Sequence, residues 1–200
     1  AGRVGAGGGG GADPDGLLGI VNDIGGVSRL EAGESRAWIG RVGHGDIADE
    51  LAELYGPVCE DEGLALASEI QSGLTILGDR GLLSQALANI LDNAVKYTPS
   101  GGAVTLRLRE TGEGKIEFSV TDTGPGIPDT DRERVTQRFV RLDNSRTKPG
   151  SGLGLSLVQA IVDVHNGQFE LTEGPGVVEG GHGPGLRASL CFPKAPAKPD

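Results

Sequence analysis

Apolar residues recur at helical spacing in several stretches of this chain and alternate with polar ones in others. LLGIVNDIGGVSRLEAGE, from Leu17, has Leu17, Ile20, Ile24 and Val27 in helical register, but Gly19, Gly25 and Gly26 weaken it. From Asp46 the pattern firms: DIADELAELYGPVCEDEG sets Ile47, Leu51, Leu54 and Val58 on one face of a predicted helix, which Pro57 is expected to end or kink. LLSQALANILDNAVKYT is the clearest helix, stopped by Pro99, Gly101 and Gly102, and LGLSLVQAIVDVHNGQ is a second, stopped by Asn166 and Gly167. LALASEI and LTILGD read as short strands. AVTLRLRE and KIEFSVTD alternate across a glycine-containing turn and predict a hairpin, and QFELTE and GLRASLCFP supply two further strands. Strands interspersed with helices and at least one hairpin predict an α/β fold, a two-layer sandwich with a mixed sheet packed on helices.

Composition narrows this picture. Two hundred residues with 36% apolar content suffice for one domain with a core and a short appendage. Many of the 36 glycines lie in the first sixteen positions, so residues 1–16 are expected to be a disordered leader. A net charge of -10 argues against a nucleic-acid surface, because such affinity comes from Lys and Arg neutralising phosphates. Cys59 and Cys191 have no metal spacing and are too few to staple a secreted fold, so each reads as a small buried apolar residue in a reducing cytoplasm. No apolar run approaches the roughly twenty residues that span a bilayer, and no membrane contact is expected of this chain.

Candidate chemistry begins on the helix of residues 82–97. At about 100° per residue, Leu83, Leu87, Ile90, Leu91 and Ala94 form one stripe, while Asn89, Asn93 and Lys96 form another. An Asn carbonyl can ligate a hard cation, and Mg²⁺ typically takes one or two protein oxygens plus phosphates and water. Lys96 is a point charge able to reach phosphate. A solvated helix face explains the same residues equally well. DTGPGIP, residues 122–128, adds a strand-end Asp122 that can accept from an amine-bearing ring, with Gly124 and Gly126 permitting close backbone approach. GSGLGLSLV leads Gly150, Gly152 and Gly154 into a helix N-terminus suited to anions, without the preceding strand of a dinucleotide fingerprint.

In combination these motifs are more specific. An N-x-x-x-N helix ending in KYT, then DTGPGIP, RFVRLD and GSGLGLSLV, resembles the nucleotide-binding boxes of bacterial sensor histidine kinases, within the wider ATPase group that includes gyrase, a heat-shock chaperone and a mismatch-repair ATPase. The resemblance covers residues 46–193 and implies a Bergerat-type sandwich, with ATP held between the central helix and a flexible lid over about 127–150. It further implies Asn93 as the Mg²⁺ ligand, with Asn89 assisting at metal and phosphates, Lys96 at phosphate and Tyr97 against the nucleotide. Asp122 would accept the adenine amino group. Gly124, Gly126, Ile127, Gly150, Gly152, Leu153 and Gly154 would shape the binding loops, Arg138 or Arg141 would reach the terminal phosphate, and Phe139 would plug the lid. Hydrolysing relatives carry Glu where this chain has Asn89, and an amide cannot take a proton from water, so phosphoryl transfer to another nucleophile is favoured over hydrolysis.

The chain also departs from that family. The phosphoacceptor histidine should precede an acidic residue and an Arg-Thr-Pro run on a dimerising helix hairpin, and no such pattern is present. Glycines flank His44, His182 lies in a GGHGPG loop, and His165 ends a helix, where a favourable dipole contact is explanation enough. Residues 17–45 therefore read as a remnant of the hairpin helix plus linker, with Trp38 as a packing anchor, followed by the catalytic domain 46–193 and a tail 194–200. Asp129, Asp131, Arg132, Glu133 and Arg134 predict a solvated lid helix, and Thr136 stands where the family often has a first Phe. The expected role is the Mg-ATP-binding half of a two-component histidine kinase, acting on a histidine in a separate dimerisation domain, with a response regulator downstream. Dimerisation is expected only through an upstream segment, and localisation is expected to be cytoplasmic, compatible with the soluble part of an inner-membrane sensor. The alternatives are a noncatalytic nucleotide-binding scaffold and an autonomous ATPase.

Overall fold

The computed structural model describes residues 40–112, 114–137, 153–176 and 183–196. Its elements run β1 (Gly40–Gly43), α1 (His44–Asp61), β2 (Ala65–Ile70), β3 (Thr75–Gly78), α2 (Arg80–Tyr97), β4 (Ala103–Glu110), β5 (Lys115–Asp122), α3 (Asp129–Val135), α4 (Gly154–Val164), β6 (Gln168–Glu173) and β7 (Leu186–Pro193). Five strands form a mixed sheet in the order β2-β4-β5-β7-β6, in which β2 and β4 are parallel and the other neighbours antiparallel. β1 and β3 form a separate two-stranded ribbon.

Alternation along the strands decides which face the helices cover. Val104, Leu106 and Leu108 of β4, Ile116, Phe118 and Val120 of β5, and Ala188, Leu190 and Phe192 of β7 are buried in the common core. The intervening residues are mostly polar. There the buried Glu117 bridges Arg109 (2.6 Å) and Arg187 (2.8 Å) across three strands. Burial pushes its carboxyl up, but the two guanidinium groups more than offset this and hold it below its ordinary value.

α2 and α4 lie against the apolar face of the sheet. α2 starts where the Asp79 carboxylate accepts from Leu82 N–H (2.8 Å), and ends where Thr98 Oγ1 donates to the Ala94 carbonyl (2.6 Å) ahead of Pro99. Its buried stripe contains Leu83, Leu87, Ile90, Leu91 and Ala94 as expected, with Ala86 added. α4 stops as the sequence predicts: Asn166 adopts a φ of 53°, and Gly167 N–H returns to the Val162 carbonyl at 2.9 Å.

Several expectations need correction. On α1, Ile47 and Leu51 are buried as expected, but Leu54 and Val58 are exposed, and Ala48, Tyr55 and Cys59 are buried in their place. The buried face is turned by roughly 60° at about 100° per residue, because Tyr55 inserts towards α2 and its hydroxyl donates to Asp92 Oδ1 at 2.6 Å. Pro57 does not end the helix, which runs to Asp61. Both Pro57 and Glu53, whose carbonyl loses its partner, lie on the exposed side, where water can solvate that carbonyl. Cys191 is half-buried on the polar sheet face, not enclosed like Cys59. Lys194 and Ala195, read as tail, join the fold: Ala195 N–H donates to Thr75 O (2.8 Å), and Ile76 bridges Lys194.

Candidate functional site

The polar stripe of α2 faces the start of α4. A β-carbon built on Gly154 would lie 3.9 Å from Asn89 Oδ1 and 3.9 Å from Asn93 Nδ2, so the first residue of α4 stands directly over both amides. Leu153, buried beside it, is the N-cap position and provides no side-chain cap. The helix thus directs backbone N–H groups and its positive dipole end towards the asparagine pair. Asn89 Nδ2 is buried with no hydrogen-bond partner among the described residues. A buried N–H donor left unmatched beside a helix N-terminus is a costly arrangement in isolation, and an anionic acceptor would relieve it.

At the other end of α2, the loop after β5 closes on the helix terminus. Gly124 approaches so closely that a β-carbon there would lie 3.1 Å from the Tyr97 carbonyl oxygen, which excludes bulk at this position. Asp122 is 7% exposed, and its Oδ1 accepts from Gly124 N–H (2.9 Å) and Leu186 N–H (3.3 Å). Burial raises its carboxyl above the usual range, and the two N–H donors counter only part of that rise. Gly126 has a φ of 73°, and a β-carbon would lie 2.6 Å from the Gly185 carbonyl oxygen. Gly185 itself donates to Gly124 O at 3.0 Å. Gly185 and Leu186 are thus structural parts of the Asp122 loop that sequence reading did not single out. Gly183-Pro184-Gly185 signals only a turn, and the pairing becomes visible only once β7 lies beside β5.

Lys96 and Tyr97 are half-buried at the end of α2, with Lys96 Nζ 5.1 Å from the centre of the Tyr97 ring. Ile127 packs against the core, and its carbonyl accepts from Arg132 Nε at 3.0 Å. α3 is the expected charged helix: Arg132 pairs with Asp129, and Arg134 with Asp131 at 2.8 Å, while Val135 is buried. Arg138, Phe139, Arg141, Gly150 and Gly152 lie outside the described residues. A cleft of about 480 Å³ lined by Glu62, Asp92, Val95, Lys96, Thr98, Pro99 and Ser100 shares Lys96 with this site, but it includes neither asparagine, nor Asp122. It flanks the site along the α1 side of α2. Among the described residues, no group of three or more His, Cys, Asp or Glu side chains could hold a metal ion. His165 is 5% exposed, which excludes it as a phosphoryl acceptor.

Known proteins with this arrangement agree on its kind. The family described as "Histidine kinase-, DNA gyrase B-, and HSP90-like ATPase" matches residues 78–196. The sensor-like histidine kinase SenX3 of Mycolicibacterium smegmatis is 34% identical over 182 residues, covering 90% of this chain and 45% of that protein. The chain spans less than half the length of the curated relatives it matches. Among solved structures, the mycobacterial sensor histidine kinase MprB superposes with a TM-score of 0.68 at 31% identity, covering 79% of this chain and 99% of that one. Full-length ShkA in complex with AMPPNP gives a TM-score of 0.76 at 32% identity, covering 92% of this chain and 37% of that one. Among the described residues, no helix is long and apolar enough to cross a membrane. Together, the fold, the motif order and these relatives place the chain in the histidine kinase-, gyrase B- and HSP90-like ATPase family, as an ATP-binding catalytic domain of the two-component sensor histidine kinase type.

Proposed function

We propose that this domain binds Mg-ATP across the α2 face and transfers the terminal phosphoryl group to a histidine on a separate dimerisation domain, for onward passage to a response regulator. The observation that carries this reading is the buried Asn89 Nδ2, without a hydrogen-bond partner among the described residues, beneath the N-terminus of α4. In the bound state Mg²⁺ would neutralise phosphate charge, with protein oxygen drawn from Asn93 and assistance from Asn89. An amide oxygen suits such an ion, and no carboxylate cage is required of the protein.

The other residues act by binding and positioning. The α4 N-terminus, with Gly150, Gly152, Leu153 and Gly154 leading into it, would orient phosphate oxygens through backbone N–H groups. Lys96 would add a positive charge there, and Tyr97 would lie against the nucleotide. Asp122 would accept from the adenine amino group, its two backbone donors converging on Oδ1 and so directing an incoming donor towards Oδ2. Gly124, Gly126 and Ile127 would form the wall beside the base, and Arg138 or Arg141 would meet the transferring phosphoryl group. Asn89 cannot serve as a general base for water, which favours transfer over hydrolysis.

Calorimetric titration with AMPPNP and Mg²⁺ tests the binding half of the proposal. Binding should weaken at least about tenfold in Asn93→Ala and in Asp122→Ala; binding indifferent to both changes would sink the site assignment. Radiolabelled ATP supplied together with an intact histidine hairpin tests the transfer half. Label on the hairpin is the expected result. Binding without transfer would instead indicate a nucleotide-dependent scaffold, and steady phosphate release lost in Asn93→Ala would indicate an ATPase.

A further inference from the structure

His165 is a buried titratable side chain that the site as described leaves unused. It sits at the C-cap of α4 with its ring edge-on to Phe192, the centroids 6.2 Å apart and the planes at 80°. Its Nδ1 lies 2.7 Å from the Ile161 carbonyl oxygen, and its Nε2 lies 2.9 Å from the backbone nitrogen of Asp79. A carbonyl oxygen can only accept, and a backbone N–H can only donate. Both bonds therefore form together in a single state of the ring: neutral, with the proton on Nδ1.

The second bond joins two elements of the site. Asp79 is the N-cap of α2, holding Leu82 N–H with its own carboxylate. Gly78, just before it, comes so near the ring that a β-carbon would lie 2.6 Å from His165 Cδ2 and 2.8 Å from a Leu83 methyl. The imidazole thus fastens the C-terminus of α4 to the N-terminus of α2. At the opposite end of α4, Gly154 stands over Asn89 and Asn93. The His165 bond and the Gly154 approach thus lie at opposite ends of α4, about 16 Å apart along its axis.

We propose that neutral His165 is a positioning residue of the nucleotide site, holding α4 on α2 so that the α4 N-terminus keeps its place over Asn89 and Asn93. This rests on the reading of that face as the phosphate and cation site. The clamp is also sensitive to pH. A proton on Nε2 would replace the acceptor with a donor facing Asp79 N–H, so the bond between the helices would be lost. Burial opposes that protonation, since the Leu83 side chain of α2 and the Phe192 ring of β7 enclose the ring, whereas the Ile161 carbonyl of its own helix, accepting from Nδ1–H, favours it. The charged group that bears on it is the Asp79 carboxylate, which favours the proton, but burial prevails and holds the ring below its ordinary value. The sign follows: the clamp is intact above the ordinary imidazole value of about 6.5, and its contribution is lost as pH falls through the lower folded value.

Nitrogen-detected NMR on the whole chain should show His165 as the Nδ1–H tautomer, titrating below the ordinary range; an Nε2–H tautomer or an ordinary midpoint overturns the proposal. Two substitutions separate the two bonds. His165→Gln can place a carbonyl oxygen near the position of Nε2 and keep an acceptor for Asp79, whereas His165→Asn keeps only a donor near Nδ1. With folding of both checked by near-UV dichroism, AMPPNP affinity in the presence of Mg²⁺ should stay within about twofold for His165→Gln and fall about fivefold or more for His165→Asn. As pH falls from about 7.5 through the His165 midpoint that the NMR titration reads, the unaltered protein should lose more affinity than His165→Gln, whose loss reports the ligand's own phosphate titration. Parallel pH profiles, or equal affinities for all three proteins, overturn the proposal. Binding lost in Asn93→Ala but unmoved in His165→Asn overturns it alone, whereas no AMPPNP binding to the unaltered chain overturns the nucleotide reading and this proposal with it.

Discussion

α1 and α2 are both eighteen-residue helices that run side by side, joined by the Tyr55–Asp92 hydrogen bond, yet their sequences disclose their packing to different degrees. In α2 the apolar stripe read from spacing is the stripe that is buried. In α1 it is not: two of four expected residues, Leu54 and Val58, face out, and Tyr55 and Cys59 take their place. The reason lies in the neighbours. α2 has the sheet beneath it and α4 beside it, so every large aliphatic residue on a wide arc finds cover. α1 packs between β2 and α2, where a tyrosine with a polar tip can fill the contact and satisfy its hydroxyl on Asp92 and the Ala88 carbonyl (3.2 Å). Periodicity specifies that a stripe exists; the chemistry of the opposing surface decides which stripe is used.

The largest effects should come from positions on which the two helices agree. Leu87→Ala in α2 and Leu51→Ala in α1 should each destabilise the fold by about 3 kcal/mol, since both remove a buried side chain and leave a cavity. Urea unfolding measures this. A loss near zero at Leu51 would mean that α1 is turned further than the structure places it.

Next in size is the functional difference between the helices. Asn93→Ala should weaken Mg-AMPPNP binding at least tenfold, or about 1.4 kcal/mol, while moving unfolding free energy by less than about 0.5 kcal/mol. The residue is half-buried on the polar face of α2 and outside the apolar core. A comparable loss of stability and affinity would show that the amide face serves the fold instead of a ligand.

How far the sequence is informative follows the same division. The hairpin, the helix end at Asn166 and the mixed sheet were legible because alternation and turn chemistry are local, whereas Asp79, the N-cap of α2, reads from sequence as the end of a strand. The asparagine face was legible as a face, and its motif order gave it a meaning. The long-range closures were not legible. Gly185 and Leu186 complete the Asp122 loop from a strand more than sixty residues away, and His165 reaches Asp79 across 86 residues. Neither pairing leaves a mark in local spacing. His165 reads from sequence as a helix-end dipole contact, a role suited to a cation, whereas its two bonds require it neutral.

A smaller effect is expected where α1 meets α2. Tyr55→Phe keeps the buried ring and removes the hydroxyl shared by Asp92 and the Ala88 carbonyl, at a cost of about 1 kcal/mol. Burial and the neighbouring Asp92 carboxylate both push the phenol's ionisation well above its ordinary value, so the hydroxyl stays protonated and donates throughout the working range. The cost should therefore be flat with pH from about 6 to 9. A pH-dependent cost in that interval would place the donor elsewhere.

The smallest effect is the most discriminating. Leu54 belongs to the stripe that spacing selects, and if spacing governed, Leu54→Ser would cost as much as a core truncation, about 3 kcal/mol. The side chain is 62% exposed, so little apolar surface is left to return to water. Serine is a weaker helix former than leucine, which contributes a few tenths of a kcal/mol. The expected total is within about 0.5 kcal/mol, measured in the same urea series as Leu51→Ala. A cost above about 1.5 kcal/mol would return Leu54 to the core and turn α1 back to the face its sequence suggests; a near-zero value beside a large one at Leu51, three residues away, fixes the helix in the orientation that Tyr55 sets.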